Sequence, residues 1–144
     1  MDAFESDRSR YPTHSAYVKT ARDHVRRVAA HWGLPESVVS NLALLASELA
    51  TNVVLHVGQA NSKEFGVTLR LSPDCVRLEV RDAGAGKLTV QDPTADETSG
   101  RGLFLVDALA DVWGITTQVL GKVVFAELSL LTPTPANRKG VTRV

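Results

Sequence analysis

The apolar residues of this chain change their spacing part-way along it, and that change limits the folds open to it. Val18, Ala21, Val25, Val28, Ala29 and Trp32 recur at steps of three and four, which makes one face of an amphipathic helix over Thr13–Trp32. Thr13 or Ser15 is placed to cap its start, and Gly33 and Pro35 to end it. The opposite face, with Arg22, Asp23, Arg26 and Arg27, reads as solvated surface. A second helix is expected from about Pro35 to Val57, with Pro35 in its first turn, Gly58 at its stop, and Val38, Leu42, Leu45, Leu49 and Val53 as its core stripe. From Phe65 the spacing becomes two. Phe65, Val67, Leu69 and Leu71 alternate, then Val76, Leu78 and Val80, and Ser72-Pro73-Asp74 between them is a hairpin turn. After a break, a helix is expected from about Arg101 to Ala110, with Leu103, Val106, Leu109 and Ala110 inward. Strands near Val112–Val119 and Lys122–Leu130 follow, joined at Leu120-Gly121. Helices grouped against antiparallel strand pairs give an α+β fold, a two-layer sandwich with a mixed, mostly antiparallel sheet and the helices on one face.

The 144 residues suit one domain. Residues 1–12 are expected to be an arm or edge strand, 13–131 the domain, and 132–144, rich in Pro, Thr and basic residues, a flexible tail. Lys plus Arg and Asp plus Glu are 16 each, so no net field attracts nucleic acid or an anionic membrane. Cys75 is the single cysteine, which excludes an intrachain disulfide and fits a reducing compartment. Its place in an alternating run reads as a buried small hydrophobe. The polar N-terminus has no signal-peptide core, and no run approaches the roughly 18 apolar residues of a membrane span, so a cytoplasmic protein is expected.

Three segments carry chemistry. Glu48 and Asn52 are one helical turn apart, hence on one face, and His56 continues it. An acid and an amide so stacked can position a nucleophile and hold a hydrated magnesium ion; alone, they equally describe a solvated polar face. Apolar alternation delivers Asp82 to a strand end, followed by Gly84 and Gly86, where a ligand can approach the backbone closely. An aspartate there can accept a hydrogen bond from an exocyclic amine, and alone it is also an ordinary Asp-Gly turn. Ser99-Gly100-Arg101-Gly102-Leu103 opens a helix, where backbone N–H groups suit phosphates; alone, it is also a flexible glycine loop. Between the last two segments the periodicity stops, and so long an irregular stretch in a compact domain is often functional. Neither glycine pair completes a dinucleotide fingerprint or a Walker loop. His14, His24 and His31 show no ligand spacing, and His24 and His31 read as helix-surface residues.

In order and spacing the three segments resemble the N box and the two glycine boxes of the GHKL ATPases. Gly100-Arg-Gly-Leu-Phe-Leu-Val-Asp-Ala-Leu-Ala-Asp-Val-Trp-Gly114 and Gly121-Lys-Val-Val-Phe-Ala-Glu127 are similar to short actinobacterial homologues of the anti-sigma-factor serine kinases. The resemblance covers about Thr13 to Leu130. It implies ATP and Mg2+ as cofactors, Asn52 as magnesium ligand beside the phosphates, and Glu48 as general base. It implies Asp82 as acceptor for the adenine amino group, with Gly84, Gly86, Gly100, Arg101, Gly102 and Leu103 around the nucleotide and Lys87 to Ser99 as a lid. His56 matches a frequent histidine of the subgroup, and equally reads as a packed helix-end residue. The segment after Gly86, Lys87-Leu88-Thr89, lacks the proline often seen there, and nothing resembles a phosphoacceptor histidine module. The implied function is a switch kinase that binds a sigma factor or another regulator and phosphorylates a STAS-type antagonist, as a homodimer without direct contact to nucleic acid or membrane. The alternatives are an ATP-binding module that sequesters partners without phosphotransfer, and a nucleotide-free scaffold, against which Asp82, Gly84 and Gly86 argue.

Overall fold

A computed structural model describes residues 5–57, 64–82, 104–118, 121–131 and 142–143, with the backbone alone for 56–57, 117–118 and 142–143. The described strands are β1 (Glu5–Pro12), β2 (Glu64–Leu71), β3 (Cys75–Asp82), β4 (Val112–Gln118), β5 (Gly121–Ser129) and β6 (Thr142–Arg143), and the long helices are α1 (Val18–His31) and α2 (Glu36–Val57). The strands form one sheet in the order β1-β2-β3-β5-β4-β6. Every pairing is antiparallel except that of β6, which runs parallel beside β4. The α+β two-layer fold expected from the periodicity is the one found.

Strand parity decides which layer each side chain enters. In β2 the buried positions are Phe65, Val67 and Leu69, and in β3 Val76, Leu78, Val80 and Asp82. Registers Val67↔Val80, Leu69↔Leu78, Leu78↔Ala126 and Val80↔Val124 carry that face across the sheet. Ala21, Val25 and Ala29 of α1 and Leu42, Leu45, Leu49 and Val53 of α2 join the same core. The helical stripes read from the sequence are therefore the buried ones, and Val18, Val28, Trp32 and Val38 pack at their margin. α2 from Glu36 to Leu55 has a mean hydropathy of 1.6, long and apolar enough by composition to cross a membrane. This corrects the expectation that no such run exists; here it is the central helix of the core.

Helix ends differ in detail from the sequence reading. α1 begins at Val18 rather than Thr13, because Ser15–Tyr17 forms a 3-10 turn. His14 caps that 3-10 turn, its Nδ1 accepting from the Ala16 N–H at 3.0 Å, while α1 itself starts from Tyr17 without a side-chain cap bond, so neither Thr13 nor Ser15 is its N-cap. At the other end Gly33, at φ 77°, lets its own N–H reach Ala30 O and the Leu34 N–H reach Ala29 O, a Schellman closure. Pro35 stands just before α2, its carbonyl accepting from the Val38 and Val39 N–H groups.

Two other side-chain readings are overturned. His24 is a bridge rather than a plain surface residue: its Nε2 lies 2.7 Å from Asp7 Oδ2, tying α1 to β1. Cys75 falls on the odd parity of β3, half-buried on the face away from the helices. Burial pushes its thiol pKa up, and the charges of Glu127 and Asp74 act in the same sense, so it stays protonated. That outer face also carries Arg77, which donates to Glu79 and Glu127 at 2.8 Å each and lies 3.9 Å over the Phe125 ring.

Ser9, on β1 opposite Val67, has a buried hydroxyl oxygen with no hydrogen-bond partner. Burying a hydroxyl without compensation costs roughly 1–3 kcal/mol by mutational measures. Ser9→Ala is therefore expected to raise the urea midpoint, with unfolding free energy up by about 1 kcal/mol and an unchanged m-value. A lowered midpoint would show that the hydroxyl is satisfied.

Candidate functional site

The site begins on the flank of α2. At 100° per residue, Glu48 and Asn52 stand beside the buried line of Leu42, Leu45 and Leu49, and both are half-buried. On their outer side Leu44 and Leu55 are 40% and 62% exposed. The pair thus sits where the helix surface passes from core to solvent, its Cβ atoms roughly 5–6 Å apart. Thr51, between them, donates its hydroxyl to Ser47 O at 2.7 Å and so turns back onto the helix. Asn41, two turns before Glu48, shares their line and is also half-buried; only the seven-residue spacing marks it in the sequence.

The second element is the end of β3. Asp82 follows Val76, Leu78 and Val80 on the helix side of the sheet and is 8% exposed. It pairs with Phe65, near the start of β2, which follows α2 after only 58–63. Asp82 and the last turns of α2 therefore lie at the same end of the molecule, and the core holds them in adjoining layers. Gly121, the first residue of β5, lies against the Asp82 main chain. From the sequence Gly121 reads as a turn residue that opens the Gly121–Glu127 segment; its closeness to a strand-terminal aspartate is not visible there. Residues 104–109 form a helix before β4, and Asp107 Oδ1 accepts from Trp113 Nε1 at 2.9 Å, pinning that helix to β4.

The structure therefore places Glu48 and Asn52 on one flank of α2 and Asp82 at the end of β3, on the sheet face that the helices cover. Gly84, Gly86, Lys87 to Ser99, Gly100, Arg101, Gly102 and Leu103 lie outside the described residues, as does the side chain of His56. Among the described residues no three of His, Cys, Asp and Glu converge. An amide oxygen beside one carboxylate is instead the donor set that a magnesium ion arriving with phosphates accepts, since magnesium keeps most of its ligands as water and substrate oxygens. A buried carboxylate with a side-chain-free Cα beside it fits the edge of a purine base.

Comparison with known proteins bears on the family of the chain. Over 123 residues the chain is 24% identical to the serine-protein kinase RsbW of Bacillus cereus (strain Q1), covering 77% of each chain, and equally to RsbW of Bacillus thuringiensis subsp. konkukian (strain 97-27). Residues 11–127, which hold α1, α2 and strands β2 to β4 with nearly all of β5, match the description of the histidine kinase-like ATPase domain. The chain belongs to the histidine kinase-like ATPase domain family.

Proposed function

We propose that this protein is an ATP-dependent serine/threonine protein kinase of the anti-sigma-factor type. It acts in the cytoplasm as a homodimer, sequesters a sigma factor or another regulator, and phosphorylates a hydroxyl of a STAS-type antagonist. The observation that carries the reading is the half-buried placement of Glu48 one turn from Asn52, on the α2 flank that continues toward the Asp82 end. A module that only held partners would use adenine and phosphate contacts and would need no base there. The similarity to proteins named serine-protein kinases supports the same reading.

Phosphoryl transfer asks the protein mainly for positioning and charge neutralisation. Asp82 accepts from the exocyclic amine of adenine. Gly84, Gly86, Gly100, Arg101, Gly102 and Leu103 surround the nucleotide. Asn52 holds magnesium, which when bound offsets phosphate charge. Glu48 takes the proton of the acceptor hydroxyl as its oxygen attacks the γ-phosphorus and ADP departs.

Asn52→Ala is expected to weaken nucleotide binding more with magnesium than without it, as read by calorimetry in the two conditions. Equal losses would mean that Asn52 packs or touches phosphate and holds no metal.

Glu48→Gln preserves shape and is expected to leave ATP affinity and partner binding near wild type while slowing transfer of labelled γ-phosphate about 10²–10⁴-fold, the usual worth of a general base. Wild-type rates in that variant would remove Glu48 from the chemistry. Tight ATP binding without transfer by the wild type to any antagonist would favour the sequestering module.

A further inference from the structure

Gly121 differs from Gly33 and Gly66 in what stands beside it. Its φ is +142°, a region that side chains rarely adopt, and a Cβ there would collide with the Asp82 carbonyl oxygen. The same Cβ would lie 3.2 Å from the Asp82 carbonyl carbon and 3.6 Å from its carboxylate oxygen Oδ1. By contrast a Cβ on Gly66, in the same sheet, would meet only ordinary contacts, 3.8 Å to Ser9 O and 4.0 Å to Arg81 Cβ. At Gly33 φ is also positive, yet a Cβ would meet nothing within 4 Å. The close approach at Gly121 is thus local, and it falls on the residue assigned to adenine.

We propose that Gly121 is a positioning residue for base recognition: its bare Cα lets β5 start against the Asp82 carbonyl, and that seat aims the Asp82 carboxylate. The inference rests on the reading of Asp82 as the adenine acceptor. The obstacle to a Cβ is backbone, which cannot rotate aside as a flexible side chain can. The ladder between β3 and β5 fixes both strands up to Arg81↔Val123, so relief must come from the last residue of β3 or the first of β5. The Asp82 carboxylate hangs from the residue that would be displaced. A hydrogen bond to the adenine amine weakens steeply with angle and distance, so a shift too small to unfold the sheet is enough to spoil it. The remainder of the nucleotide, held from α2 and the glycine segments, would not register the change.

The test compares ATP with purine riboside 5′-triphosphate, which lacks only the exocyclic amine, by calorimetry on the full chain. Wild type is expected to prefer ATP by about tenfold or more, the worth of a hydrogen bond to a charged acceptor. Asp82→Asn should erase that preference; no preference in wild type would sink the adenine reading of Asp82 itself. Gly121→Ala should bring the preference near unity by weakening ATP alone, with the analogue bound as by wild type. Gly66→Ala, the same chemical change in open space, should keep the preference. Given a wild-type preference that Asp82→Asn removes, retention of it in Gly121→Ala overturns the inference. So does equal weakening of both nucleotides, which a purely structural role would produce, or loss of the preference in Gly66→Ala. Should Gly121→Ala not fold, nuclear magnetic resonance of the wild type decides: the Gly121 amide resonance should move with ATP and stay with the analogue, and equal movement overturns the inference.

Discussion

Everything in this structure depends on the rotation of α2 about its own axis. That rotation is set by burial: Leu42, Leu45 and Leu49 are at most 1% exposed against the sheet. Fully burying such a side chain is worth roughly 1.5–3 kcal/mol each, so turning the helix to carry Glu48 and Asn52 elsewhere would forfeit several of these terms together. The polar pair needs no interaction of its own to stay in place. It is carried at the margin of a stripe that has one stable orientation, with exposed Leu44 and Leu55 marking where the stripe has ended.

The sheet contributes by the same logic with a period of two. Val76, Leu78 and Val80 enter the core, so the next residue of their parity, Asp82, must face the helix layer too. A slip of one residue would put Asp82 on the outer face with Arg77, Glu79 and Cys75. Registers Phe65↔Asp82 and Val80↔Val124 hold the strand on both sides against that slip. The outer face is organised differently, around Arg77. Burial works against its charge, but its hydrogen bonds to Glu79 and Glu127 outweigh that and strengthen its basicity.

Those two periodicities explain what was legible in the sequence. The core stripes of α1 and α2, the hairpin at Ser72-Pro73-Asp74 and the position of Asp82 all follow from spacing alone, because burial enforces spacing. What could not be read are contacts between residues far apart in the chain. His24 reads as surface on a helical wheel and becomes a bridge only because β1 brings Asp7 to it. Cys75 reads as core because it precedes an alternating run, yet parity turns it outward. Neither Thr13 nor Ser15 caps α1, because the intervening 3-10 turn, capped by His14, moves the start of α1 to Val18. Gly121 beside Asp82 is the same case at the site: a strand register, invisible in one chain segment, decides why that position is glycine.

The candidate site is divided between layers, and this has a mechanical consequence. Glu48 and Asn52 belong to the helix layer, Asp82 and Gly121 to the sheet. Their relative placement is transmitted through packed side chains, chiefly Leu45, Leu49 and Val53 above and Phe65, Val80 and Val124 below. Packed interiors compress little and do not deform continuously. A nucleotide bridging adenine at Asp82 and phosphate at Asn52 would therefore bind the two layers as one rigid gauge, with its length matched by the core. The volume of that core would then set the span from base to phosphate.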